Sequence, residues 1–349
     1  MTYTVDSEKL KKCVAGLFHG AGAPTCEAEI IADCLVEADL CGVESHGITR
    51  IGGYIKKIEA GGFAKTASLT LIKESASTSY YDAGGSIGFV CSVRAMNKAI
   101  EKAGQTGAAV VLLRNSSHYG TAGYYTKMAA RKKMIGFSCT NGPPAAAPWG
   151  STERFHGTNP FSLAFPTKDE PIVVDMATTV VARGKIMLAA RKGSSIPAGW
   201  ALDARGNPTT DAKAALDGSL FPVGGVKGYT MALAMDVLSA VLSGSFFGNQ
   251  FADFDNPAKP QNVGQFFMAL DIERFIGVEK FLESIELLKA SIRALPKKEG
   301  VDKIYMPGEP EFIQRAERLK NGIAVSAVVY DDLKQLCSKY GLGFDIDRQ

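Results

Sequence analysis

Ala108-Ala109-Val110-Val111-Leu112-Leu113 is the stretch that most narrows the choice of fold. Its apolar residues leave no polar face, so as a strand it must be covered on both sides. Such a strand belongs inside a layered α/β structure, with helices against a sheet. Its neighbours agree. Helical periodicity runs over 90–103 and 121–131, and a second strand over 134–140. Strands over 161–165 and 171–175 flank the turn Thr167-Lys168-Asp169-Glu170. That pair reads as a hairpin, so the sheet is not purely parallel.

The chain before this sheet has another texture. Amphipathic helices are predicted over 6–21 and 25–40, punctuated by Pro24-Thr25. After Cys41-Gly42-Val43 a third helix is expected to begin at Ser45, carry His46 and Arg50, and run to Gly61-Gly62. Short strands follow over 68–73 and 77–82. Beyond the hairpin, a helix over 180–192 ends at Gly193 as its C-cap. Residues 194–226 read as mostly loop, and a stretch that long is usually functional. A buried helix over 228–242, a strand over 264–271 and a helix over 278–295 come next. Segments over 311–319, 325–328 and 330–340 close the chain.

Charge excludes some functions. With 39 basic and 36 acidic residues the net charge is +3, which leaves no nucleic-acid or membrane-surface footprint. The apolar run 229–248 carries Asp236 and several Gly and Ser, so it reads as a helix of a globular core rather than a span. The seven cysteines are odd in number and never spaced as CxxC. They point to reduced thiols, not a disulfide frame or zinc site. With no apolar leader at the start, the expected location is the cytoplasm.

The chain has no G-x-G-x-x-G, no P-loop and no H-E-x-x-H, so it lacks the ordinary dinucleotide and phosphate cradles and a zincin site. Gly84-Gly85-Ser86-Ile87-Gly88 has the form of a nucleophile elbow, which raises a serine hydrolase on Ser86. That fold orders its triad Ser, acid, His. Between Ser86 and His156 the acids are Glu101, inside the next helix, and Glu153, three residues before His156. The pattern therefore reads better as a glycine turn. A non-catalytic ligand-binding oligomer is a third class.

Glu44-Ser45-His46-Gly47-Ile48-Thr49-Arg50 carries more. Helical spacing puts the imidazole and the guanidinium on one face, a turn apart. An imidazole exchanges a proton near neutral pH, and a guanidinium grips a carboxylate bidentately. Ser45 as an N-cap would place His46 in the first turn, where the helix dipole lowers its pKa. Three further groups sit where ligands usually bind. Asn115-Ser116-Ser117-His118-Tyr119-Gly120 lies at the exit of the apolar strand. Gly157-Thr158-Asn159-Pro160 and Asp175-Met176-Ala177 bracket the hairpin, with small residues that let backbone N–H groups approach a phosphate or ribose. Arg183, Lys185 and Lys227-Gly228 offer positive charge and a helix N-terminus.

Taken together, Gly42-x-Glu44-Ser45-His46-Gly47-x-x-Arg50, Ser117-His118-Tyr119-Gly120-x-Ala122-Gly123-Tyr124, Gly157-Thr158-Asn159-Pro160, Val174-Asp175-Met176-Ala177-Thr178 and Lys227-Gly228-Tyr229 resemble the malate/L-lactate dehydrogenase family. That family includes L-sulfolactate, ureidoglycolate, diketogulonate and piperideine-carboxylate members. The resemblance implies a mixed, non-Rossmann α/β fold with a largely antiparallel central sheet flanked by helices. It implies a helical domain from both termini (1–66 plus 311–349) beside a cofactor-binding domain (67–310). It also implies a homodimer or higher homo-oligomer.

By the same resemblance the protein is an NAD- or NADP-dependent oxidoreductase that moves a hydride between nicotinamide and a small 2-hydroxy or 2-oxo acid. Malate, L-lactate and L-sulfolactate lead, with a cyclic imine or ureidoglycolate as the alternative. His46, His118 and Asp175 take catalytic positions. Arg50, Ser45 and Thr158 take substrate positions. His118, Gly120, Thr158, Asp175, Met176, Ala177, Lys185, Lys227, Gly228, Gly308, Glu309 and Pro310 take cofactor positions, and no metal is implied. The chain departs from the family pattern at Cys41, at Trp149-Gly150-Ser151 and at His156, which bears on substrate identity.

Overall fold

A computed structural model describes residues 2–251 and 256–348, without the side chains of 188, 191 and 192. The chain opens with β1 (Thr2–Val5), α1 (Ser7–Gly20), α2 (Thr25–Leu40) and α3 (Ile51–Glu59). The central region runs β2 (Thr70–Glu74), β3 (Thr78–Asp82), α4 (Gly88–Thr106), β4 (Ala108–Ser116), α5 (Ala122–Arg131), β5 (Met134–Thr140), β6 (Phe161–Phe165) and β7 (Ile172–Met176). Then come α6 (Arg183–Lys192), β8 (Ala201–Leu202), β9 (Pro208–Thr209), α7 (Ala212–Asp217), β10 (Ser219–Leu220) and α8 (Val226–Asp236). The chain ends with β11 (Val263–Asp271), α9 (Val278–Arg293), α10 (Glu309–Asn321), β12 (Ile323–Ser326) and α11 (Ala327–Lys339).

The main sheet has the order β2-β3-β4-β11-β5-β6-β7. Every pairing in it is antiparallel except β3 with β4. This is the mixed, largely antiparallel sheet expected, and it is not a Rossmann sheet. The apolar strand sits inside it for the reason its composition gives. Ala109, Val111 and Leu113 enter the large core that also contains Val90, Ala95, Tyr125 and Phe267 from α4, α5 and β11. Leu112 and Val110 face the other way, onto Phe266, Phe137 and Met235 of α8. The two ends of the chain meet where β1 pairs with β12, Thr2 opposite Ser326. The large core is continuous from these terminal elements to β4 and β11.

Three segments differ from expectation. Residues 194–226 are mostly loop, but the loop also carries α7 and three two-residue strands that were not expected: β8, β9 and β10 form a separate small sheet, order β10-β8-β9, closed by Ala201, Leu220 and Ile186. Without alternation or length, two-residue strands leave no periodic signal. Residues 228–242 are not a fully buried helix. α8 passes into a wider π-helical turn, Val237–Val241, and Val226, Leu233, Val237, Val241 and Leu242 lie exposed along it. An apolar residue on an outer face looks the same in sequence as one in a core. Nor is the helix over 45–60 continuous: residues 44–46 and 48–50 form single 3-10 turns, and α3 starts only at Ile51. Among the described residues no helix is long and apolar enough to cross a membrane.

Candidate active site

Asp39, near the end of α2, explains the broken helix. Its buried carboxylate accepts a hydrogen bond from Ile48 N (2.8 Å), drawing that amide out of any helical ladder. Gly47 lies flat against the same carboxylate: a Cβ there would sit 2.2 Å from Asp39 Oδ2. Burial pushes the Asp39 carboxyl up to about 7. Ser45 is therefore not an N-cap. Its hydroxyl bonds His46 Nδ1 instead (2.9 Å), and Arg50 Nε donates to Ser45 O (2.7 Å). The low pKa expected of His46 is present, but its cause is not a helix dipole. Burial, then the Arg50 charge, pushes the imidazole down to about 4.

His118, which follows β4, comes to lie against His46. The two rings stack with centroids 5.6 Å apart and planes 24° from parallel. His118 Nδ1 is bonded to Tyr54 Oη of α3 (2.7 Å) and receives Gly120 N (3.2 Å). Burial, then His46 and Arg50, holds the His118 imidazole well below its usual range. Both rings are thus neutral at pH 7. Arg50 is exposed, and among the described residues no carboxylate pairs with its guanidinium.

His46 and Ser45 line a cavity of about 910 Å³. Of the other expected residues, Gly120, Thr158, Asp175, Met176, Ala177, Lys185, Gly308 and Pro310 also line it. Arg50, His118, Lys227, Gly228 and Glu309 do not. Glu309 instead accepts from Arg293 Nη2 (3.1 Å) and Met306 N (2.9 Å) and pairs with Lys303, which hold the 303–308 segment and push its carboxyl down to about 2. Gly228 packs its backbone on Val223 and Thr178. Arg191 and Lys192 have side chains outside the described set.

The cavity suits a dinucleotide on two counts. Its volume lies within the usual range for ligand sites, on the order of 300–1,000 Å³. The start of α5 forms one wall (Gly120 to Tyr124), and Thr121 places no side-chain cap on that helix. A helix N-terminus facing a cavity suits a phosphate group, and here one amide of its first turn, Gly123 N, is already taken by a side chain from another element. Gly120 holds the approach with φ +78, where a Cβ would meet the Phe89 ring at 2.7 Å. The side chain that takes that amide is Asp175 of β7, whose Oδ2 accepts Gly123 N (2.8 Å). Asp175 opens onto the cavity but is ringed by protein, and that enclosure pushes its carboxyl up to about 6.

Cys41, noted above as a departure from the family pattern, lines the cavity, and several further lining residues were not singled out by sequence reasoning: Glu37, Lys127, Tyr305 and Phe312. Lys127 and Glu37 form a largely buried ion pair (2.7 Å), which Arg315 joins (2.8 Å). A lysine and a glutamate on the inward faces of α5 and α2 were the available signal. Tyr54 was missed too, although it lies one turn beyond Arg50.

Ser86 is fully buried, accepts Ser68 N (3.0 Å), and has no hydrogen bond to a histidine among the described residues. It is part of a glycine turn, not a nucleophile.

The profile of the malate/L-lactate dehydrogenase family matches residues 5–334. A malate dehydrogenase of Pyrococcus horikoshii is 40% identical over 97% of this chain and 96% of its own. An L-sulfolactate dehydrogenase of Methanocaldococcus jannaschii is 39% identical over 97% of each. The crystal structure of malate dehydrogenase from Entamoeba histolytica superposes with a TM-score of 0.95 at 30% identity, covering 99% of this chain and 100% of that one.

Proposed function

The chain belongs to the malate/L-lactate dehydrogenase family and is an NAD(P)-dependent 2-hydroxy acid dehydrogenase, and from that premise we propose which residues carry the reaction and which acid is used. His46 is the acid/base group and Arg50 the carboxylate clamp. The observation that carries this is the placement of a neutral imidazole on the cavity wall with an unpaired guanidinium a few residues on. Arg50 spends only Nε on the backbone, which leaves its outer N–H groups for a bidentate pair. That pair orients the C2 carbon; His46 removes the hydroxyl proton in oxidation and returns it in reduction.

The nicotinamide, when bound, supplies or accepts the hydride. The residues that would hold the cofactor are Gly120 and the start of α5, Thr158, Asp175, Met176, Ala177, Lys185, Gly308 and Pro310. Lys227, Gly228 and Glu309 lie outside the cavity and would act through the segments they fix.

The substrate we favour is malate or L-sulfolactate, ahead of L-lactate. The named relatives support an acid with a second anionic group. A panel of 2-oxo acids, with a cyclic imine and ureidoglycolate as controls, against NADH and NADPH tests it. Oxaloacetate or sulfopyruvate should give the highest kcat/KM. Turnover confined to the imine would overturn it.

We also read the protein as a homodimer in the cytoplasm, with the 1–66 plus 311–349 unit and the 67–310 unit as its two domains. The apolar exposed face of α8 supports the first point, and the unlinked cysteines, Cys13 and Cys337 included (Sγ–Sγ 3.3 Å), support the second.

A further inference from the structure

His118 Nδ1 receives two hydrogen bonds, and one of them fixes the other. The Gly120 N–H is a donor and nothing else, and it points at Nδ1 (3.2 Å). A proton on Nδ1 would collide with it, so Nδ1 is an acceptor. Tyr54 Oη, 2.7 Å from the same nitrogen, must then be donating. Tyr54 is nearly buried, set edge-on to Phe89 (5.4 Å, 90°), and its hydroxyl has no other partner among the described residues. The proton of the neutral His118 ring consequently resides on Nε2, which no described residue engages. Gln261 Oε1 holds the His118 backbone by accepting its N–H (3.0 Å), so the ring enters from a fixed base.

We propose that Tyr54 is a positioning residue that locks His118 as its Nε2–H tautomer, so that His118, outside the cavity wall but stacked on the lining residue His46, offers a hydrogen-bond donor and not a base at Nε2, while His46 handles the proton. This rests on the reading of His46 and Arg50 given above, and it divides the labour between the two histidines. An Nε2–H imidazole cannot accept a proton at Nε2. It can donate a hydrogen bond to a carbonyl or alkoxide oxygen, the role of a preorganised electrophile. His46 bears no such double constraint: the hydroxyl of Ser45 can either donate to or accept from its Nδ1.

The test uses the full-length enzyme with ¹⁵N-labelled histidine, the His118 signals being assigned by their loss in His118→Gln. Wild-type enzyme should show Nδ1 with the shift of an unprotonated ring nitrogen and Nε2 with that of a protonated one. Tyr54→Phe should weaken this preference. It should lower kcat by about 3- to 10-fold, the loss expected for one hydrogen bond, with KM for the oxo acid unchanged. A proton found on Nδ1 in wild-type enzyme overturns the proposal, as does Tyr54→Phe with unaltered His118 shifts and unaltered kcat. Loss of folding in Tyr54→Phe, seen by melting temperature, leaves the wild-type spectrum to decide. If wild-type enzyme reduces no oxo acid, the functional reading fails while the tautomer result stands or falls separately.

Discussion

The imidazoles of His46 and His118 lie face to face, 5.6 Å between centroids, with the Arg50 charge acting on both. Two rings so placed cannot both be cations at modest cost. The site therefore holds neutral imidazoles at pH 7, the form a base needs to take a proton from a hydroxy acid. In reduction the proton must be acquired with the substrate, whose carboxylate offsets the Arg50 charge that, after burial, lowers the His46 pKa.

A pH profile follows. With His46 near 4, kcat/KM for hydroxy-acid oxidation should stay level as pH falls through the ordinary histidine value of about 6.5 and decline only below about 5. Binding of an oxo acid with reduced cofactor at pH 7 should take up protons, seen by calorimetry in buffers of different ionisation heat. Stability has the matching sign. Between about 6.5 and 4 the unfolded chain binds protons that the folded site refuses, so the contribution of His46 to stability is lost as pH drops through that window. A rate limb near 6.5 would contradict this account of the site.

His46→Ala should lower kcat by about 10²–10⁴-fold while cofactor affinity, measured by nicotinamide fluorescence, holds. Near-wild-type turnover in this variant would transfer the acid/base role to His118.

Arg50→Ala should act mainly on KM for the acid. Arg50→Lys restores the charge but not the planar fork, so it should recover only part of the affinity. Steady-state kinetics on both variants separates charge from geometry.

Gly47→Ala forces a methyl group against the buried Asp39 carboxylate, which cannot retreat without releasing Ile48 N. A loss of about 1–3 kcal/mol in unfolding free energy is expected, together with reduced turnover, because His46 is the preceding residue. Asp39→Asn keeps an acceptor for Ile48 N and removes a charge that the fold disfavours. Its stability should match or exceed wild type above pH 7 in chemical denaturation, and a large loss there would show that the charge itself is needed.

Leu233→Glu together with Val241→Glu places charges on the exposed apolar face of α8 and of the π-helical turn that continues it. Sedimentation should show a lighter species than wild type. An unchanged mass would remove α8 from the subunit interface.

Much was legible from residue order because the signals were local. The two-sided apolar strand, the 161–175 hairpin, the Gly193 C-cap and the terminal helices each announce themselves within a dozen residues. The motifs around His46 and Asp175 did so as well. Cavity walls drawn from α2, α5 and the 305–312 segment had no such signal, since a lining valine, proline or phenylalanine resembles any core residue.

What the chain alone determined, then, were its elements and the chemical types at its site: an imidazole, a guanidinium, small residues where a phosphate could approach. Only tertiary structure decided how they act. A carboxylate from α2 breaks the helix that His46 was expected to ride on, and Tyr54 and Gly120 settle which nitrogen of His118 carries the proton. The reason is physical. Helix capping and hydrophobic period depend on near neighbours, whereas burial, charge and tautomer are properties of a surrounding that the chain assembles from distant segments.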